Sequence, residues 1–184
     1  MNIVEAVKTE GEAKTISRKL TLNAKGNTLY ADIWEFGINT ALRISDLLTL
    51  TFVEVQGDKL VVKEAKTGKS RQIDLNSGAK AIIARRRQAH PTHTFLFQVD
   101  SNRAKGKAVS RVAVANAFKA VGEEMSIRLG THSMRKTRGW LMYSNGKSIE
   151  LICKVLNHSS PAVTMAYIGI TQAEVDATYH EFVF

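Results

Sequence analysis

A single change of hydrophobic period constrains this chain more than any other feature. From Asn27 to Thr40 apolar residues recur at helical spacing, with Leu29, Ile33 and Phe36 at i, i+4 and i+7 and Tyr30 and Trp34 beside them. From Phe52 to Leu75 apolar and polar residues alternate instead, broken by turn signals at Gln56-Gly57-Asp58 and Lys66-Thr67-Gly68-Lys69. The helical period then returns, through Ala79, Ile82, Ile83 and Arg86 and again through Val112, Val114, Ala117, Phe118 and Val121. One alternating block enclosed by helices predicts a mainly α, α+β domain carrying a small antiparallel β-sheet.

The expected strands are 52–55, 59–64 and 70–74. The first helix takes Asn27 as its N-cap and Gly37 as its stop, and a shorter helix starts at Ser45 and runs through Leu47, Leu48 and Leu50. Further helices are expected at 132–144, 148–156, 161–167 and 172–181. Residues 1–25 are mixed in pattern and basic, with Lys14, Arg18, Lys19 and Lys25; they read as a loosely held N-terminal arm with a short helix, leaving 26–184 as the main domain.

Composition removes several classes of protein. A chain of 184 residues is too short for two domains of ordinary size, and 44% apolar with 23% charged residues argues against disorder, collagen-like repeats or coiled coil as the main state. No apolar run is long enough for a membrane span, and the N-terminus has Glu5 and Glu10 but no apolar signal region. The single Cys153 cannot form an internal disulfide, so a reducing cytoplasm is the expected compartment. With 26 Lys and Arg against 17 Asp and Glu the formal charge is +9, which points to a polyanionic partner, most simply nucleic acid.

Four short segments carry candidate chemistry. They are Ala41-Leu42-Arg43-Ile44-Ser45-Asp46 at a helix start, Lys66 in a hairpin turn, Thr131-His132-Ser133-Met134-Arg135, and the stretch from Leu156-Asn157-His158-Ser159-Ser160 to Tyr167. Each has an ordinary explanation alone: a surface arginine, a turn, two side chains on one helix face, a core tyrosine. Their order and spacing over about 40–170 resemble the catalytic domain of the tyrosine recombinases, the phage integrase family. The matching residues are Arg43, Lys66, His132 with Arg135, His158 and Tyr167, nine residues after His158.

That resemblance implies a helical catalytic domain that breaks and rejoins double-stranded DNA through a 3′-phosphotyrosyl intermediate. Arg43 and Arg135 suit bidentate contacts with phosphate oxygens, because guanidinium presents a planar fork. Tyr167 is the implied nucleophile, His132 an acid/base group, Lys66 the proton donor to the leaving 5′ oxygen, and His158 a hydrogen-bond partner of the phosphate. Asp46 is expected to orient neighbouring basic groups. Such a set requires neither metal nor cofactor. The implied partners are DNA, a homotetramer on DNA, and DNA-bending accessory proteins, although nothing in these residues identifies an accessory protein. Two other functions fit the same residues: a non-catalytic DNA-binding regulator, and a type IB topoisomerase-like relaxing activity.

Two positions depart from the family pattern, Asn157 where Gly is usual and Ser133 where Asp is frequent. Residues 1–25 are also too few for the additional helical domain of many members, which suits either a catalytic fragment or a naturally short member like the fimbrial phase-variation recombinases. The end, His180-Glu181-Phe182-Val183-Phe184, is apolar enough to dock on a neighbouring protomer or to close this chain's own core. His90-Pro91-Thr92-His93 has metal-compatible spacing but reads as a loop. Arg85, Arg86 and Arg87 face either phosphates or solvent, and Arg103, Lys105 and Lys107 lie in a loop that suits DNA backbone contact. Tyr143 and Tyr179 compete with Tyr167, but the first follows Arg135 too closely and the second is too near the terminus.

Overall fold

Residues 4–100, 104, 106–181 and 183 are described in a computed structural model. The chain starts with α1 (Glu10–Asn23), closed by Thr9, whose Oγ1 accepts from Glu12 N–H at 3.1 Å while its hydroxyl donates to the Glu12 carboxylate. Ile16 and Leu20 of α1 are fully buried, and Trp34 Nε1 donates to Ala13 O at 3.0 Å, so this stretch is packed against the core and not loosely held.

The central element is α2 (Leu29–Thr40), which contributes Ile33, Trp34 and Phe36 at 0% exposure. Thr28 occupies its N-cap, although Asn27 Oδ1 still accepts the Leu29 N–H at 2.9 Å. Gly37 does not stop the helix. A Cβ there would sit 2.2 Å from Met134 Sδ, so the missing side chain serves close packing. The helix ends at Ala41, a non-glycine residue at φ 52°, and the short α3 (Ile44–Leu48) follows with Arg43, not Ser45, at its N-cap.

The hairpin is β1 (Lys59–Lys63) paired antiparallel with β2 (Ser70–Asp74). The expected strand at 52–55 is a turn. Thr51 makes one bridge to Phe95, and Glu54 Oε2 then accepts from Thr51 N–H at 2.7 Å, closing the chain before a strand can extend. Phe52 and Val55 are nevertheless buried, which explains the apolar pattern. After α4 (Ser77–Ala89) a second two-residue ladder joins β3 (Gln98–Val99) to β4 (Lys107–Ala108), too short to leave an alternating signal. The rest is α5 (Arg111–Glu124), α6 (Ser133–Ser144), α7 (Ile149–Leu156), α8 (Pro161–Ile168) and α9 (Gln172–Glu181), close to the expected spans. The α+β, mainly helical expectation holds.

Two apolar clusters organise these elements. The larger joins α1 through α5 with the hairpin and reaches Met134 on α6. The smaller consists of Ala41, Ile152, Leu156 and Ile168. Gly139 lets α6 approach this second cluster, since a Cβ there would meet Ile168 Cγ2 at 2.7 Å. Among the described residues no helix is long and apolar enough to cross a membrane.

Candidate active site

Arg135 ties together the backbone of two members of the smaller cluster, Ala41 and Leu156. It is 2% exposed, its Nη1 donates to Ala41 O, and its Nη2 donates to Leu156 O at 2.5 Å. Both guanidinium ends are therefore engaged with backbone, and phosphate contact falls to the N–H groups that remain. The left-handed turn at Ala41 also brings its carbonyl and that of Thr40 to Arg71, at 3.3 and 2.8 Å. This bend, two residues before Arg43, sets that side chain beside the hairpin.

Arg43 is half-buried, and its Nη1 donates to Glu64 Oε2 at 2.5 Å. Asp46 is buried, but its partner is the Ala65 N–H, which donates to Oδ1 at 3.0 Å. It therefore orients the turn that carries Lys66, not a basic side chain. Lys66 itself is exposed at the head of that turn, near enough for its charge to act on His132.

Tyr167 is brought to His132 across 35 positions, its hydroxyl 3.4 Å from His132 Nδ1 and 3.5 Å from His132 O. The His158 ring stands edge-on to Tyr167 with centroids 4.7 Å apart, and Lys136 Nζ lies 5.1 Å from the Tyr167 ring centroid. Arg135 adds a hydrogen bond and a positive charge at the phenol. His158 Nδ1 lies 3.1 Å from Thr164 Oγ1, whose own proton goes to Ser160 O at 3.3 Å. Thr164 is thus the acceptor, and in the neutral ring Nε2 carries the lone pair.

The electrostatics follow from burial among cations. Desolvation, followed by the charges of Arg135 and Arg43, pushes His158 down to about 4. Desolvation and the charge of Arg135 also lower His132. Burial raises Tyr167, only partly opposed by Arg135. Burial and the charge of Arg135 lower Arg71 to about 10, still a cation at neutral pH. In the DNA-free site, then, both histidines are neutral and the phenol is protonated.

Sequence reasoning missed Glu64, Arg71, Thr164 and the contact made by Asn157. Glu64 had a visible signal, because it continues the buried phase of Leu60 and Val62 and a charge in that phase is unusual. Asn157 takes the left-handed conformation at φ 49° that Gly would otherwise fill, and its Nδ2 donates to Glu64 Oε2 at 2.7 Å.

The other described basic and metal-compatible groups singled out from the sequence lie away from Tyr167. Arg85 and Arg86 pair with buried Asp32, the second at 3.2 Å, and Arg87 lies 3.8 Å over Phe52. Arg86 is therefore internal, whereas Arg85 keeps 48% of its side chain open to solvent while it pairs with Asp32, and Arg87 is half-buried. His90 and His93 stack at 4.3 Å with 9° between their planes, and both address Asp100. In-plane lone pairs of two stacked rings do not meet at one point, so this cluster is not arranged around a shared cation. Lys107 is exposed on β4, while Arg103 and Lys105 lie outside the described residues. Tyr143 packs against the smaller cluster and Tyr179 is 76% exposed. Phe182 and Phe184 lie outside the described residues, and no described side chain of α9 is buried.

The protein named "Probable integrase/recombinase YoeC" of Bacillus subtilis (strain 168) is 34% identical over 184 residues, covering 99% of this chain and 98% of that one. A crystal structure of XerA recombinase superposes with a TM-score of 0.70 at 21% identity, over 97% of this chain and 64% of that one. A lambda integrase dimer bound to a COC′ core site gives 0.71 at 16% identity, over 92% of this chain and 50% of that one. This chain thus spans about half to two thirds of those two solved chains. The sequence profile of the phage integrase family matches residues 9–174, and with a 34% identical relative along its length the chain belongs to that family of tyrosine recombinases.

Proposed function

We propose that this protein is a site-specific DNA recombinase that cuts and rejoins strands through a phosphotyrosine bond at Tyr167. The observation that carries this reading is the placement of the Tyr167 hydroxyl 3.4 Å from His132, with His158 against its ring and Arg135 beside it. Solved relatives that hold DNA, such as the lambda integrase dimer, support double-stranded DNA as the partner.

The chemistry follows from the charges. Arg43 and the free N–H groups of Arg135 neutralise the non-bridging oxygens of the scissile phosphate, which lowers the barrier to attack by an anionic nucleophile. Neutral His132 takes the phenolic proton as Tyr167 attacks phosphorus. The P–O5′ bond breaks, Lys66 gives its proton to the departing 5′ oxygen, and a 3′-phosphotyrosyl bond remains. The incoming phosphate favours protonated His158, whose Nε2–H then donates to it while Nδ1–H stays on Thr164. A 5′ hydroxyl from a second strand attacks the intermediate and regenerates Tyr167. No ATP is consumed, because the bond energy is stored in the phosphotyrosine. Exchange between two sites takes four protomers acting in pairs.

The test incubates wild type and Tyr167→Phe with DNA flanking the encoding gene, in EDTA, and resolves covalent adducts on SDS gels. An adduct with wild type alone is the expected result. An adduct that survives Tyr167→Phe removes Tyr167 from the role, and strand relaxation without a defined site redirects the reading to a topoisomerase-like activity.

A further inference from the structure

Glu64 is the most enclosed acid near the site, at 0% exposure, and the cleavage steps above do not use it. Its Oε2 accepts from Arg43 Nη1 at 2.5 Å, from Thr67 Oγ1 at 2.9 Å and from Asn157 Nδ2 at 2.7 Å. Its Oε1 faces Arg71 Nη1 at 3.7 Å. Burial disfavours the charged carboxylate, but the bonds from Arg43, Thr67 and Asn157 outweigh it and hold the group below the usual carboxylate range. It is an anion at neutral pH.

The three donors to Oε2 come from three separate stretches of chain. Arg43 opens α3, Thr67 follows Lys66 on the hairpin turn, and Asn157 immediately precedes His158. One buried oxygen therefore spans the parts that carry the phosphate-binding arginine, the proton donor and the second histidine. A carboxylate oxygen is the same kind of acceptor as a phosphate oxygen, so Arg43 is held extended and desolvated before DNA arrives. Well-packed apolar groups often match a buried ion pair in stability, so stability alone does not account for a charge kept here.

We propose that Glu64 is a positioning residue for strand cleavage, fixing the guanidinium of Arg43 and, through Asn157, the spacing between the His158 loop and the Lys66 turn. This role rests on the cleavage function proposed above.

Glu64→Gln keeps the shape and one acceptor oxygen but removes the charge. Two readouts separate its role from a general loss of structure. Without DNA, the side-chain 15N resonances of Arg43, assigned by their loss in Arg43→Lys, show slow guanidinium rotation in wild type and averaged signals in Glu64→Gln. With DNA, the single-turnover rate of adduct formation falls about 10-fold in Glu64→Gln while DNA affinity changes less than about 3-fold. In an Arg43→Lys background the same substitution costs less than about 2-fold, because the residue it acts through is gone. Asn157→Gly keeps the left-handed backbone and the Arg43 pair, so it folds; it slows adduct formation about 3-fold and leaves the Arg43 resonances unchanged. Unchanged Arg43 resonances in Glu64→Gln, or a rate penalty equal in both backgrounds, overturn the positioning role alone. Absence of any wild-type adduct overturns the cleavage reading and with it this role.

Discussion

Arg43 and Asp46 stand on α3 among Leu42, Ile44 and Leu47 of the larger cluster, whereas His158 and Tyr167 stand on a segment whose buried residues Ile152, Leu156 and Ile168 form a separate cluster with Ala41. The first half of the site is thus fixed by most of the molecule's apolar burial. The second is held by the four buried side chains of the smaller cluster, by partly buried neighbours such as Met142, Ile149 and Val155, and by polar ties, Arg135 to Leu156 O and Asn157 to Glu64. The difference teaches where adjustment is cheapest. A phosphate cradle needs to be preorganised, since its work is electrostatic. On the mechanism proposed above, the nucleophile has to approach, attack and withdraw, and a segment with little apolar burial opens at lower cost than the main core.

That contrast can be broken by substitution. Phe36→Ala in the larger cluster removes a fully buried ring and is expected to cost about 3–5 kcal/mol of global stability, read by urea unfolding. Arg135→Met leaves the carbonyls of Ala41 and Leu156 without their donor, at about 1–3 kcal/mol for each. It is also expected to abolish adduct formation. Ile168→Ala is expected to act locally. Amide exchange should rise across α8 with little change in α2, and global stability should fall by about 2 kcal/mol. Equal protection of α2 and α8 in wild type would remove the contrast.

The smallest effect is one of pH. The folded His158 titrates at about 4, below its ordinary 6.5, so between those values the unfolded chain binds more protons. Stability should therefore fall as pH drops through that window, with no contribution from this group above it. His158→Gln flattens the slope. An NMR titration that places His158 near 6.5 without DNA would contradict the buried cationic surroundings described here.

Much of the candidate site was legible because its residues sit in short local motifs. Arg43, His132 with Arg135, and His158 with Tyr167 each lie at or beside a helix end whose period is clear. What was not legible depends on contacts between distant positions. The Thr51–Glu54 turn imitates a strand because Phe52 and Val55 are buried although the pairing there stops at a single bridge, Thr51 to Phe95. α1 looked loose because its apolar residues, Ile16 and Leu20, are few, though both find the core. Arg135 looked like a free phosphate clamp, since sequence does not reveal that the bend at Ala41 turns a carbonyl toward it. Asn157 looked like a harmless departure until its amide was seen to reach Glu64 across 93 positions.

The central claim, that Tyr167 is the nucleophile, is tested most directly by mass spectrometry of the protein–DNA adduct after nuclease and protease digestion. The account predicts a nucleotide on the peptide containing Tyr167 and on no other. A nucleotide on Tyr143, Tyr179 or a serine would contradict it.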